Sequence, residues 1–157
     1  MVKEEAYNAA KYVFSRYGRY FKDTAEIIGV DKAIDIYTKF GEQDGEISAK
    51  MLATEWKDKE LNLDAIGKMW VDYYESFGYE NKITVSPTSV LFRMDKCPFY
   101  AGFIEAGVKH EHIERMCRGS NHRFGSKLKQ FDSNAGSQVV RFRSGPDDYC
   151  EEEITLK

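Results

Sequence analysis

Lys82-Ile83-Thr84-Val85-Ser86-Pro87-Thr88-Ser89-Val90-Leu91-Phe92-Arg93-Met94 decides the fold class of this chain. Its two ends are short β-branched or apolar runs, and Ser86-Pro87-Thr88 separates them with turn chemistry. The stretch therefore predicts two strands joined as a hairpin. Everything before Tyr79 reads differently. Over 3–28, Ala6, Ala9, Ala10, Val13, Phe14, Tyr17, Tyr20 and Phe21 recur at spacings of three and four, the period of one apolar helix stripe. Gly29 is a C-terminal stop, and Asp31 can cap a second helix carrying Ile34, Ile36, Tyr37 and Phe40. Gly41 and Gly45 predict a break or turn before a third helix over 46–56, which includes Trp56. A fourth runs from near Asp64 through Trp70 and Tyr74 to Gly78.

Beyond the hairpin, Pro98 suits the first turn of a helix that ends at Gly107, which puts Cys97 at or just before its N-terminus. A longer helix follows over 110–131. Ile113, Met116, Cys117, Ser120, Phe124, Leu128 and Phe131 share one of its faces, so Cys117 points inward. Segments 138–143 and 149–156 read as two more strands around Ser144-Gly145-Pro146-Asp147, and alternation places Cys150 with Glu152, Ile154 and Leu156. The expected fold class is α+β: a helical N-terminal half, then a small antiparallel sheet with two inserted helices. One domain over 1–157 is expected, with a helical part over 1–78 and a cysteine-containing α+β part over 79–157.

The composition excludes more than it selects. Hydrophobic residues make up 42% and charged residues 31% of the 157, as in ordinary globular chains. No apolar run approaches the ~18 residues that span a bilayer, and Met1-Val2-Lys3-Glu4-Glu5 has no signal-peptide character. Three widely spaced cysteines do not suggest a disulfide framework, so a reducing cytoplasm is expected. A net charge of −3 gives no reason to expect nucleic acid. Charge is uneven, with eight Lys and Arg against three acids over 109–143, followed by an acidic tail. The first reading of that run is a solvated surface; a small anionic ligand or the tail itself could also complement it. A small-molecule ligand is the expected partner, membrane association is not expected, an oligomer is left open, and no cofactor is named.

The cysteines carry the functional signal. All three fall within the last 61 residues. Cys97 would feel the positive end of a helix dipole with Lys96 beside it, which favours a thiolate; the alternative is a small residue filling space at a helix start. Cys117 reads by itself as core. So does Cys150, although Asp147, Asp148, Glu151 and Glu152 lie close in sequence as proton acceptors. Gaps of 20 and 33 residues between the cysteines fit no zinc pattern. His110 and His112 lie about 200° apart on a helix and His122 points elsewhere, so no metal ligand is assigned. There is no phosphate-binding glycine loop, no G-x-S-x-G and no H-E-x-x-H.

Cys97-Pro98-Phe99-Tyr100, the Cys117 helix and the closing Gly145-x-x-Asp148-x-Cys150 strand together resemble the L-2-amino-thiazoline-4-carboxylic acid hydrolase family, over roughly residues 90–157. Where that pattern carries an acidic residue one turn after the second cysteine, this chain has Ser120-Asn121. The resemblance implies hydrolytic opening of a cyclic amidine ring to an N-carbamoyl amino acid. Cys97, Cys117, Cys150 and Asp148 become catalytic candidates, with Cys97 as nucleophile and Asp148 as proton shuttle. Arg118, Asn121, Arg141 and Arg143 become candidates for holding the substrate. The competing reading is a non-catalytic binding module whose sulfurs take a soft metal ion or line a pocket for an apolar cofactor.

Overall fold

The predicted hairpin is present: β1 (Glu80–Val85) and β2 (Ser89–Lys96) pair antiparallel. The Ser86 N–H donates to Ser89 O at 2.8 Å, and Ser86 Oγ accepts from the Ser89 N–H at 2.9 Å, which closes the loop. The computed structural model describes residues 3–55, 62–129 and 132–156, with the backbone alone for 51–55, 121–124 and 126. Trp56 and Phe131 lie outside the described residues.

With β3 (Gly136–Arg141) and β4 (Cys150–Thr155) the hairpin forms a four-stranded antiparallel sheet of order β1-β2-β4-β3. Alternation decides its buried face. Val90, Phe92 and Met94 of β2 are buried and pair with Ile154, Glu152 and Cys150 of β4. β3 begins and ends two residues before the predicted segment. Phe142 and Arg143 leave the ladder and turn inward, Arg143 to full burial.

α1 (Lys3–Ile28) stops at Gly29, whose φ of 90° only glycine adopts freely. α2 then runs unbroken over Val30–Glu55, so the predicted break at Gly41 and Gly45 does not occur. Each glycine costs a helix about 1 kcal/mol of propensity, and packing outweighs that here. Ile34, Gly41, Gly45 and Ala49 form one buried stripe along α2. That smooth stripe lets α5 (His110–Lys129) approach closely, so a Cβ on Gly119 of α5 would overlap Thr38. The glycines that look like breakers in sequence are contact surface.

α3 (Leu63–Ser76) starts at Asn62, whose side chain accepts from the Ala65 N–H at 2.9 Å. Its Gly67 rests on Ile83 and Val90 of the sheet. α4 (Pro98–Glu105) lies against α1 where Gly102 meets the α1 backbone. A Cβ there would sit 2.6 Å from Lys11 O and 2.7 Å from Ser15 N. Gly102→Ala is therefore expected to destabilise the chain by about 2–3 kcal/mol despite alanine's better helix propensity, measured by urea denaturation. An unchanged midpoint would show that α1 and α4 separate freely.

One buried cluster joins both halves, from Phe21 and Ile34 through Ile66 and Trp70 to Phe92, Phe103 and Ile154. No helix among the described residues is long and apolar enough to cross a membrane.

Candidate functional site

The three cysteines arrive from three different segments and line one cavity of about 120 Å³. Cys97 caps the start of α4, Cys117 faces inward from α5, and Cys150 opens β4. All three are free thiols; Cys150 is buried, and the other two are partly exposed. Ser120 and Glu152 are further polar groups on the wall, while Tyr37, Tyr73, Tyr74, Tyr79, Phe99 and Phe142 make it strongly aromatic. A water's share of liquid volume is about 30 Å³, so the space suits a handful of heavy atoms, and its walls suit a flat ring.

Glu152 is the carboxyl of this cavity. It sits between Cys150 and Ile154 on the inward face of β4 and accepts from Tyr74 Oη at 2.8 Å. Burial pushes its pKa up to about 7, and the Tyr74 hydrogen bond offsets only part of that rise. Tyr74 is itself pushed well up, by burial first and then by the Glu152 charge. A carboxyl near 7 can take and return a proton at neutral pH.

Cys97 differs from its sequence expectation. Its Sγ accepts the Tyr100 N–H at 3.4 Å as a helix cap, so the predicted N-terminal position is correct. The predicted thiolate is not favoured, because burial dominates and pushes the Cys97 thiol up to about 12 against the pull of that N–H and of Arg143. Lys96 does not help: its Nζ pairs with Glu4 at 2.7 Å and lies 4.2 Å from the centroid of the Tyr7 ring. Burial also raises Cys117 well above the usual thiol range, with Cys97 next among the causes.

The charged candidates divide. Arg143 is 2% exposed and donates from Nε to Cys150 Sγ at 3.3 Å and from Nη2 to Met94 O at 2.9 Å. It is the cation beside the thiols. Arg141 instead grips Asp148 at 2.9 Å and stacks 3.6 Å from the centroid of Tyr149. Asp148 also accepts from the Ser144 N–H and hydroxyl, and these contacts, led by the backbone bonds, hold it far below the usual carboxylate range. It braces the turn before β4 and is not among the residues that line the cavity. Arg118 pairs with Glu114 at 2.8 Å and donates to the backbone O of Val139 at 2.8 Å; Val139 lines the cavity and Arg118 does not. The Asn121 and His122 side chains lie outside the described residues. His110 Nδ1 is 3.0 Å from Tyr100 Oη.

Sequence reasoning grouped Glu152 with the acids near Cys150 but chose Asp148. The available signal was the strand alternation, which puts Glu152 on the face of Cys150, together with the strand start, since Asp148 precedes the predicted segment 149–156. Among the described residues, no three His, Cys, Asp or Glu side chains are disposed to hold one metal ion. No protein-family model, no curated protein and no solved structure matches this chain.

Proposed function

We propose that this chain is a cysteine-centred hydrolase that opens a small cyclic amidine, such as a 2-aminothiazoline, to an N-carbamoyl product. The observation that carries the proposal is the meeting of three free thiols and a carboxyl titrating near 7 in one aromatic cavity. An amidine ring is flat, offers N–H donors to a carboxylate and stacks on tyrosines, so Glu152 and the aromatic wall match it. The Cys97 sulfur adds to the C=N carbon while its proton passes to the Glu152 carboxylate. Glu152 returns that proton to the ring heteroatom as its bond to the same carbon breaks. Water then adds to that carbon, Cys97 leaves as a thiol, and the carbamoyl group is released. Because Cys97 rests as a thiol, attack needs Glu152 ionised, and kcat/KM rises with pH through about 7. Arg118, at the Val139 edge, is the cation for a substrate carboxylate. A reducing cytoplasm, in which the three thiols stay free, belongs to the same proposal.

One observation favours a binding module: thiols pushed up by burial line a mostly aromatic wall, a better seat for a flat ligand than for a resident nucleophile. Ring opening of 2-amino-thiazoline-4-carboxylic acid, followed by release of the carbamoyl product, separates the two. Wild type is expected to turn over, and Cys97→Ser and Glu152→Gln to lose about 100-fold or more. Binding without turnover in wild type supports the module. Full activity in a normally folded Cys97→Ser protein removes Cys97 as nucleophile.

A further inference from the structure

α1 carries a second apolar face that none of the described residues covers. Its core side holds Ala10, Phe14, Gly18 and Phe21, yet Tyr12, Val13, Tyr17, Tyr20 and Ile27 remain 47–82% exposed. Ile36, Phe40 and Ile47 of α2 continue the patch at 59–64% exposure. Between the helices lies a groove of about 360 Å³ lined by Tyr17, Tyr20, Ile36 and Phe40. With large side chains covering 150–250 Å² each, these residues leave roughly 800 Å² of apolar surface in water. A monomer's largest patch is ordinarily about 300–600 Å², whereas each side of a stable interface buries about 800 Å².

The pattern of charge identifies the occupant. At 100° per residue, Val13, Arg16, Tyr20, Asp23 and Ile27 fall within one 80° sector of α1. That sector is self-complementary when the helix is turned end for end about Tyr20. Val13 then faces Ile27, Tyr20 faces its own copy, and the exposed Arg16 falls opposite Thr24, one residue (about 1.5 Å of helix rise) from the exposed Asp23 and within reach of it through a long side chain. A two-fold interface repeats each of these contacts, giving two ion pairs flanking an apolar centre. We propose that this chain forms a two-fold homodimer through the α1 face, with α1 antiparallel to α1 of the second copy and Tyr20 on the axis. The groove between α1 and α2 receives the aromatic side chains of the second copy.

Analytical ultracentrifugation of the full chain tests this, with the charge pair as the specific probe. Wild type is expected to sediment as a dimer at about 100 µM. Tyr20→Asp, at an exposed position, is expected to give a folded monomer with unchanged circular dichroism. Arg16→Asp places like charges at both pairs and is expected to weaken dimerisation roughly tenfold. Adding Asp23→Arg to Arg16→Asp reverses both pairs and is expected to restore wild-type association. A wild-type monomer, or a dimer indifferent to Tyr20→Asp, overturns the proposal; the monomer would leave the face to a different protein. A charge swap that fails to recover association overturns the antiparallel register.

Discussion

Replacing Arg143 with alanine is expected to destabilise the chain by about 3–4 kcal/mol, the largest loss from any single charged side chain among the described residues. Ion pairs such as Lys3–Glu75 and Arg115–Asp31 lie at the surface, where truncation costs about 0–1 kcal/mol. Arg143 is 2% exposed, and its guanidinium serves Cys150 Sγ, Met94 O and Pro146 O, with the Tyr100 ring centroid 5.1 Å from its central carbon. Burial works against its charge, and the nearby sulfurs of Cys150 and Cys97 more than offset that effect. Alanine removes the donor to Met94 O and opens a void beneath the cavity, so two penalties add. Arg143→Met refills the void and leaves only the lost hydrogen bonds, an expected loss of about 1–2 kcal/mol. The two urea midpoints, taken at one protein concentration, therefore separate packing from polar satisfaction. An alanine variant within about 0.5 kcal/mol of wild type would mean that water replaces the guanidinium without strain.

Arg143 also marks the limit of what the sequence discloses. Residues 138–143 read as one strand, and Arg143 enters the sequence reading only as one of three arginines that could hold a substrate carboxylate, with nothing to mark it as buried. What turns it inward is the departure of Phe142 and Arg143 from the ladder, fixed by Arg141 and Ser144 holding Asp148. Those contacts join positions four and seven residues apart through side chains, and no periodicity records them. Where local pattern governs, reading succeeds: the helix of α1, the Ser86 turn, the cap by Cys97 and the alternation of β2 follow from neighbours in sequence, although Val13, Tyr17 and Tyr20 of the stripe read for α1 stay exposed. Gly41 and Gly45 show the reverse, because a weak local preference yields to the close approach of α5, a helix some seventy residues away. The site divides in the same way. That each cysteine sits at an element start or on an inward face is local information; that the three meet requires every helix and three strands. The thiol of Cys97 shows how far tertiary context can go, since its helix-start setting favours the thiolate while burial reverses the outcome.

Glu152→Gln is expected to make the protein more stable at alkaline pH while abolishing the activity proposed for it. The carboxyl has a folded pKa of about 7, above an unfolded value of about 4.3. A raised carboxyl pKa means that the folded chain holds the proton more tightly. Its contribution is complete below about pH 4.3 and is lost as pH rises through 7, at most about 4 kcal/mol. Glutamine keeps an oxygen for the Tyr74 hydroxyl, which now donates at 2.8 Å to Glu152, and has no proton to lose. The variant should therefore match wild type near pH 4 and exceed it by up to about 4 kcal/mol at pH 8, with a flat profile between. Asp148→Asn provides the opposite sign. That carboxyl is held low by Ser144 and Arg141, so its stabilisation is present at neutral pH and lost as pH falls. Asparagine there should weaken the fold at pH 7 and leave the proposed ring opening largely intact. Urea midpoints of both variants across pH 4–9 decide which carboxyl the cavity strains. A Glu152→Gln profile parallel to that of wild type would mean that Glu152 ionises freely in water, and the proton that the proposed chemistry draws on near pH 7 would have to come from another group.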